Sequence, residues 1–414
     1  MKALLNTYMQ TSFVLKMFVG FLCGTLLAVL IGEQAEVLKP FGDILINLLS
    51  LVAIPVIFLT VVLAVNQMNV TQLGRMGGKL ILYYAITTAA AVFIGLGLAF
   101  WISPGENMSL PAADVEKPDT PSFEDVLFNI IPENIVAPFV NGDLMSILFL
   151  AIIIGVAIST MKFSNEEKIK QSGEMLDRFF NALNEMFYKL LNGILFYAPI
   201  GILAISASSF GGQGWGTLQS LLSFTGVFYG GIILLWLIVY TPILKLSGAP
   251  VLPFFRSTKD AYVTAFFTSS SIATLPVAID TAKKSGISER VANFTLPLGA
   301  VFNSDGGALR MGASIVFAAN ITNLSLSVTD FFMIVLVGTL LSIGTAGVPA
   351  AGLVTLSAVL TMFNLPLEIV ALIAGVDVLI GMAGTASNVF GDIVGSAVVN
   401  QSEEKGQEHE QESA

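Results

Sequence analysis

The sequence predicts an all-α integral membrane protein, and three observations predict it. Hydrophobic residues fill 55% of the 414 positions and charged residues only 12%, whereas a soluble domain has roughly 45–50% and about 25%. The mean hydropathy is +0.82. Second, the apolar residues are gathered in blocks: Phe13–Ile31, Ile44–Val65, Leu80–Ile102, Leu144–Ile158, Leu191–Ala207 and Leu221–Leu244. Several exceed the roughly 20 residues that cross a bilayer as helix. Third, the basic residues fall in alternate connections between those blocks.

Taken in order, the N-terminal "MKALLNTYMQTS" precedes the first block without a small-residue cleavage site, so it reads as a retained helix rather than a signal peptide. Cys23 is the one cysteine and lies inside that block, which leaves no disulfide framework. Lys2, Arg75, Lys79, Lys162, Lys168, Lys170, Lys245, Arg256, Lys259, Lys283, Lys284, Arg290 and Lys405 stand on one side of the membrane, with Lys39 and Lys117 on the other. The positive-inside rule then places both termini in the cytoplasm. The acidic, proline-bearing loop "SPGENMSLPAADVEKPDTPSFED" faces outward, and six helices up to Leu244 satisfy this sidedness. The net charge of −10 is no nucleic-acid footprint, and part of it belongs to the tail "SEEKGQEHEQESA", which reads as a disordered, solvated end. The one histidine, His409, is in that tail, which excludes histidine-based metal sites, general bases and proton relays from the core.

After Leu244 the pattern changes. "FTSSSIATLP" is followed by "LPLGAVFNSDGGALRMG", then "LSIGTAGVPAAG", then "GTASNVFGDIVGSA". The order is small-polar loop, broken helix, small-polar loop, broken helix. Irregular backbone at membrane depth is tolerated only where it is buried in protein or lines a cavity. Two interrupted segments in corresponding positions mark a transporter core with its site at the interruptions. The serines of the first stretch are therefore expected at the tip of a re-entrant hairpin. Close packing of small residues accounts for the glycines and alanines, but not for Asn303, Asp305, Asn388 and Asp392.

A charge at mid-bilayer costs about 2.5–3.5 kcal/mol even on the lenient insertion scale, so these residues need a function. Carboxylate, amide oxygen and freed backbone carbonyl form a hard, all-oxygen donor set that suits a cation such as Na⁺. A proton relay is the competing use. An intramembrane hydrolase is disfavoured, because neither histidine nor a serine–lysine pair occupies the core.

These motifs resemble those of the dicarboxylate/amino acid:cation symporters, the sodium:dicarboxylate symporter family that includes glutamate and aspartate transporters. "SSSIATLP" is similar to the first hairpin tip, "NSDGG" stands where the family has Asn-Met-Asp-Gly-Thr, "SIGTAGVPAAG" matches the second hairpin tip, and "NVFGD" matches Asn-x-x-Gly-Asp of the last helix. The resemblance spans nearly the whole chain. It implies the glutamate-transporter-homologue fold: eight transmembrane helices plus two re-entrant helical hairpins, a homotrimer in the plasma (inner) membrane, and an elevator-like carrier moving against a fixed scaffold. It divides the chain into scaffold helices 1–2 (1–75), helix 3 and an outer loop (76–124), and scaffold helices 4–5 with transport-domain helix 6 (125–246). A transport core (247–400) and the cytoplasmic tail (401–414) complete the division. It also implies no enzymatic activity and no nucleic-acid partner.

The same resemblance implies three sodium sites. Gly299, Asn303, Asn388 and Asp392 match one. Tyr84, Thr87, Thr88, Asn303 and Asp305 match a second, although ordinary helix packing explains Tyr84 and the threonines equally well. Backbone carbonyls of Val301, Ser342, Ile343 and Thr345 match a third. For substrate, the matching positions are Ser270, Ser271, Gly307, Gly347, Val348, Gly381, Gly384, Thr385 and Asn388.

Departures fall on the substrate positions. The amino-acid members carry an aspartate and an arginine on the last helix; here these are Gly381 and Gly384. Arg310 stands where the family usually has tyrosine, on a helical face with Asn303, Gly306 and Gly307. Asp377 is its expected partner, on a face shared with 381, 384, 385, 388 and 392. Two readings stay open: a structural Arg310–Asp377 pair, or a guanidinium that has changed helices and still binds a carboxylate. The expectation is a sodium-driven symporter of a small organic carboxylate, a dicarboxylate favoured, with a neutral or bulky amino acid or an ion channel as alternatives.

Overall fold

The computed structural model describes residues 13–67, 74–106, 108, 131–213, 215–342 and 351–412, and among them every regular element is helical. Helices α1 (Phe13–Ile31) and α2 (Lys39–Gln67) are joined by a 3₁₀ stretch, Gly32–Leu38. Then come α3 (Gly74–Ile102), α4 (Leu144–Lys162) and α5 (Glu167–Gln213). Asp143 starts α4 by accepting from the Ser146 amide at 3.4 Å, which satisfies one of the free N–H groups of the first turn. At 47 residues, α5 is about 70 Å long at 1.5 Å per residue. That is over twice the roughly 30 Å hydrocarbon thickness, so its charged first quarter, "EKIKQSGEMLDR", extends beyond any membrane-embedded part.

Among the described residues, four helical stretches are long and apolar enough to cross a membrane: Leu15–Asn66, Met76–Ile102, Glu167–Ser208 and Gly216–Leu246. A bent pair, Glu368–Asp377 and Leu379–Glu404, makes a fifth. The chain is therefore a multi-pass helical membrane protein.

Two packed groups emerge. In the first, α5 lies along α1 and α2, and α4 lies on α2. Small residues set these distances: a Cβ on Gly201 of α5 would come 2.5 Å from Leu45 Cβ of α2. The second group gathers α3, α6 (Trp215–Leu234) and the helices after residue 246, of which the stretches 351–362 and 368–412 pack against the first group as well. Beyond Leu234 the helix passes through a π-helical turn, Leu235–Tyr240, into a last α-turn, Thr241–Leu246.

Next, α7 (Val251–Thr268) and α8 (Ser271–Lys284) form a helical hairpin. Its tip explains the serines. Ser269 takes a left-handed conformation (φ 49°) that ends α7, and Ser270 Oγ accepts from the Ala273 amide at 3.2 Å to cap α8. Short hydrogen-bonding side chains are what a two-residue turn between helices requires.

Helix α9 (Glu289–Phe302) stops at Asn303, whose backbone is extended, and Ser304, which is also non-helical, and α10 (Asp305–Thr322) starts afresh. This is the expected break. It corrects one detail, since Asn303 stands outside α10 and shares no helical face with Arg310. Helices α11 (Val328–Ser342) and α12 (Ala351–Met362) flank residues 343–350. The expected site positions Ile343, Thr345, Gly347 and Val348 lie outside the described residues.

The last helix, α13, runs from Glu368 to Glu412. The sequence reading expected an interruption at "GTASNVFGD", but the backbone there is helical, and the 71° bend lies between Asp377 and Leu379. Burial against α7, α9 and α10 supplies the stability that glycines withdraw. The tail also departs from the disordered reading, since α13 continues to Glu412. Glu, Gln and Lys are good helix formers, and extending an existing helix avoids the nucleation cost.

Helix α10 lies closest to α3. A Cβ on Gly312 would sit 2.5 Å from the Val92 carbonyl oxygen, and one on Gly95 would collide with the Leu309 carbonyl. Gly95→Val should therefore force the helices apart and destabilise the protein by about 1–3 kcal/mol. Thermal unfolding in detergent should show a lowered midpoint, while Gly97→Val, where a Cβ meets nothing within 4 Å, should not.

Candidate functional site

The break between α9 and α10 places two carboxylates in the protein interior. Asp305, the first residue of α10, is fully buried. Its Oδ1 accepts from Thr88 Oγ1 of α3 at 2.6 Å, and its Oδ2 accepts from the Tyr240 hydroxyl at 2.7 Å. Asp392 of α13 is also buried, and its Oδ1 accepts from Asn303 Nδ2 at 2.9 Å. Neither carboxylate joins an ion pair among the described residues.

Gly299, one turn before the break, lets these groups converge. A Cβ there would lie 2.5 Å from Asp392 Oδ1 and would also strike the Tyr84 hydroxyl, so both oxygens lie against its bare Cα. Asn388 ties α13 to the break: its Oδ1 accepts from the Gly306 amide at 2.7 Å, and its Nδ2 donates to Ser304 Oγ at 3.4 Å. Ser342, at the end of α11, accepts from the Ser304 amide at 3.2 Å. Thr87 is buried and donates to the Tyr84 carbonyl at 3.3 Å.

The structure thus brings Tyr84, Thr88, Gly299, Asn303, Asp305, Ser342, Asn388 and Asp392 into one connected centre. It leaves one oxygen over. Asn303 Oδ1 is buried and has no hydrogen-bond partner in the described structure. A buried polar atom without a partner costs about 1–3 kcal/mol. An oxygen acceptor beside two carboxylates is an arrangement that a hard cation satisfies.

Arg310 lies five residues further along α10 and is the one Lys or Arg that is buried among the described residues. Its Nη1 pairs with Asp377 Oδ1, as the helical faces predict. The fork offers five N–H donors, yet this is its one hydrogen bond within the described structure.

Of the other expected substrate positions, Gly381 has no described atom within 4 Å of a Cβ built on it. Gly384 also takes part in helix packing. It meets Gly306, whose own Cβ would fall 2.5 Å from the Gly384 backbone, so this pair sets the crossing of α10 and α13. A Cβ on Gly307 would press on Ser304 Oγ at 2.5 Å. Thr385 spends its hydroxyl on the Gly381 carbonyl at 2.8 Å. Ser271 is buried, but no hydrogen bond connects Ser270 or Ser271 to the Asn303–Asp392 centre within the described structure. Val301 is half-buried in the last turn of α9.

Sequence reasoning missed Tyr240. Its ring is fully buried, stands edge-on to Phe390 at 5.8 Å, and reaches Asp305 beside Gly391, where a Cβ would crowd the hydroxyl at 2.6 Å. Trp236, in the same π-turn, donates to Ser387 Oγ at 3.0 Å. The available signal is Pro242: its missing N–H breaks the α-ladder, and the Thr241 amide bonds back to the Trp236 carbonyl, five residues away. Such π-turns are frequent at functional sites.

A multi-pass helical membrane protein with a helical hairpin and a broken helix around buried carboxylates has the build of a secondary transporter. Comparison with known proteins gives the family. The sodium:dicarboxylate symporter family matches residues 13–402, and the chain belongs to it. A C4-dicarboxylate transport protein of Rhizobium etli is 32% identical over 387 residues, covering 91% of this chain and 86% of the relative. A proton/sodium-glutamate symport protein of Bacillus caldotenax is 29% identical over 415 residues, covering 95% and 96%. The family and these relatives are transporters, not enzymes.

Tyr240→Phe should leave Asp305 Oδ2 buried without a donor and cost about 1–3 kcal/mol of stability. The check is thermal unfolding of Tyr240→Phe beside Tyr229→Phe, whose hydroxyl serves only a backbone carbonyl, that of Leu379. The first variant should lose clearly more.

Proposed function

We propose that this protein is a sodium-coupled symporter of a small organic dicarboxylate. It works as a homotrimer in the plasma (inner) membrane, with both termini cytoplasmic, and carries substrate by an elevator motion. In this reading the α7–α8 and α11–α12 pairs are the two re-entrant hairpins among eight transmembrane helices. The packing of α3 and α6–α11 as one group, and of α1, α2, α4 and α5 as another, with α12 and α13 touching both, supports a carrier moving against a scaffold. Sodium is held by Tyr84, Thr87, Thr88, Gly299, Asn303, Asp305, Asn388 and Asp392, with backbone carbonyls of Val301, Ser342, Ile343 and Thr345. The fit rests on the unpartnered oxygen of Asn303, whose amide nitrogen donates to Asp392.

One observation carries the substrate class: a buried guanidinium with a single bond from Nη1 and the rest of its fork unspent within the described structure. Bidentate binding of a carboxylate is what that fork does best. The substrate lies between Ser270, Ser271, Gly307, Arg310, Gly347, Val348, Gly381, Gly384, Thr385 and Asn388. The name of the Rhizobium relative agrees with a C4-dicarboxylate. A neutral or bulky amino acid is the second reading, favoured by the absence of any described atom within 4 Å of a Cβ at Gly381. A channel would conduct without saturable uptake.

Sodium and substrate should bind with positive coupling, each raising the affinity for the other by the same factor. Succinate binding to purified protein, titrated at zero and at saturating Na⁺, checks this. Equal affinity at both would refute the symport reading.

Removing Arg310 alone strands Asp377, so the decisive variant is Arg310→Met with Asp377→Leu, which keeps the region apolar and removes both charges together. It should fold, keep Na⁺ binding, and lose succinate affinity by roughly ten- to a hundredfold, the worth of about 1.5–3 kcal/mol in charge-assisted bonds. Butyrate, with one carboxylate, should lose much less if it binds at all. Unchanged succinate transport by this variant would make the pair structural and remove Arg310 from the substrate site.

A further inference from the structure

The Arg310 guanidinium has a second contact besides Asp377. A Cβ built on Gly352, in the first turn of α12, would overlap Nη2, Cζ and Nη1 of Arg310. The guanidinium therefore lies across the bare Cα of Gly352. Three elements meet at one cation: α10 supplies it, α13 supplies its counter-ion Asp377, and α12 supplies a glycine as its seat.

We propose that Gly352 is a positioning residue that determines substrate charge specificity, by seating the guanidinium of Arg310 where it can be shared between Asp377 and a substrate carboxylate. The inference rests on the reading of Arg310 as the anion-binding group. The physical link is steric first and electrostatic second. A guanidinium is the free end of a flexible side chain, and it could swing away from an added methyl group. Its counter-ion resists that movement, because withdrawing the guanidinium leaves Asp377 as an uncompensated buried charge. Any side chain at 352 therefore forces a choice between lifting α12 and stranding Asp377. Either outcome moves the charge that reads the substrate relative to Gly381. The conformational freedom of glycine has no part in this, since residue 352 is helical and the constraint is space alone.

The test is Gly352→Ala in two settings: the otherwise unaltered protein, and the Arg310→Met/Asp377→Leu protein, where no guanidinium remains to collide. Two quantities are read, the thermal midpoint without substrate and the ratio of succinate to butyrate half-saturation at saturating Na⁺. In the unaltered protein, Gly352→Ala should lower the midpoint and weaken succinate by about tenfold or more, the scale of one lost charge-assisted contact, with butyrate little changed. In the protein that already carries Arg310→Met and Asp377→Leu, the same change should leave both quantities where they were.

Should Gly352→Ala fail to accumulate on its own yet fold when the pair is absent, that dependence supports the seat equally. An identical loss of midpoint in both settings, or failure to fold in both, overturns the proposal, because the glycine then serves α12 packing and not Arg310. A loss confined to the unaltered protein but equal for succinate and butyrate overturns the specificity role. The underlying reading fails by a separate route: the Arg310→Met/Asp377→Leu protein would itself carry succinate normally, whatever residue 352 is.

Discussion

Two carboxylates buried in an apolar helical bundle, with no basic side chain paired to either among the described residues, are the constraint around which this protein is built. Unpaired charge in such surroundings is expensive, and the local architecture answers that cost piece by piece. The chain breaks at Asn303 and Ser304, so the first turn of α10 has free amides. Asn388 takes one of them through Gly306, while Thr88 and Tyr240 donate to the two oxygens of Asp305. Asn303 donates to Asp392 and is left with an oxygen to give. Glycines at 299, 306 and 391 exist where a Cβ would keep these groups apart.

The position of Arg310 follows from the same constraint. It stands five residues after Asp305 on α10, about 7.5 Å further along the helix axis. In the proposed reading, one helix thus carries a cation-binding group at its N-terminus and an anion-binding group just over one turn on. Ordering of α10 by one ligand is felt by the other without any long relay, which is the physical basis for reciprocal coupling. The contacts of Arg310 with α12 and α13 extend that ordering to the two neighbouring elements.

Much of this was legible in the sequence. Apolar blocks and sparse charge gave the membrane class, and the serine cluster gave a hairpin tip, because few other structures need three serines in an apolar chain. "NSDGG" announced a helix break through residues that are poor inside helices but good at their ends. The pairing of Arg310 with Asp377 came from helical periodicity and the cost of an unpaired charge. Other features were not legible. "GTASNVFGD" has the composition of a break, yet burial on several sides keeps it helical. Tyr240 sits in an apolar run where a lipid-facing aromatic would look the same, and a π-turn leaves no signature beyond Pro242. The seat at Gly352 depends on which residue lies opposite, and that is a matter of tertiary contact.

The central claim is that the oxygen-rich centre at the α9–α10 break binds Na⁺. The most direct measurement is amide hydrogen exchange of the purified protein without substrate, in NaCl and in choline chloride at equal ionic strength. The account predicts added protection on Na⁺ at residues 303–308 and 388–392, with little change in α1 and α2. Exchange at those residues that is the same in both salts would contradict it.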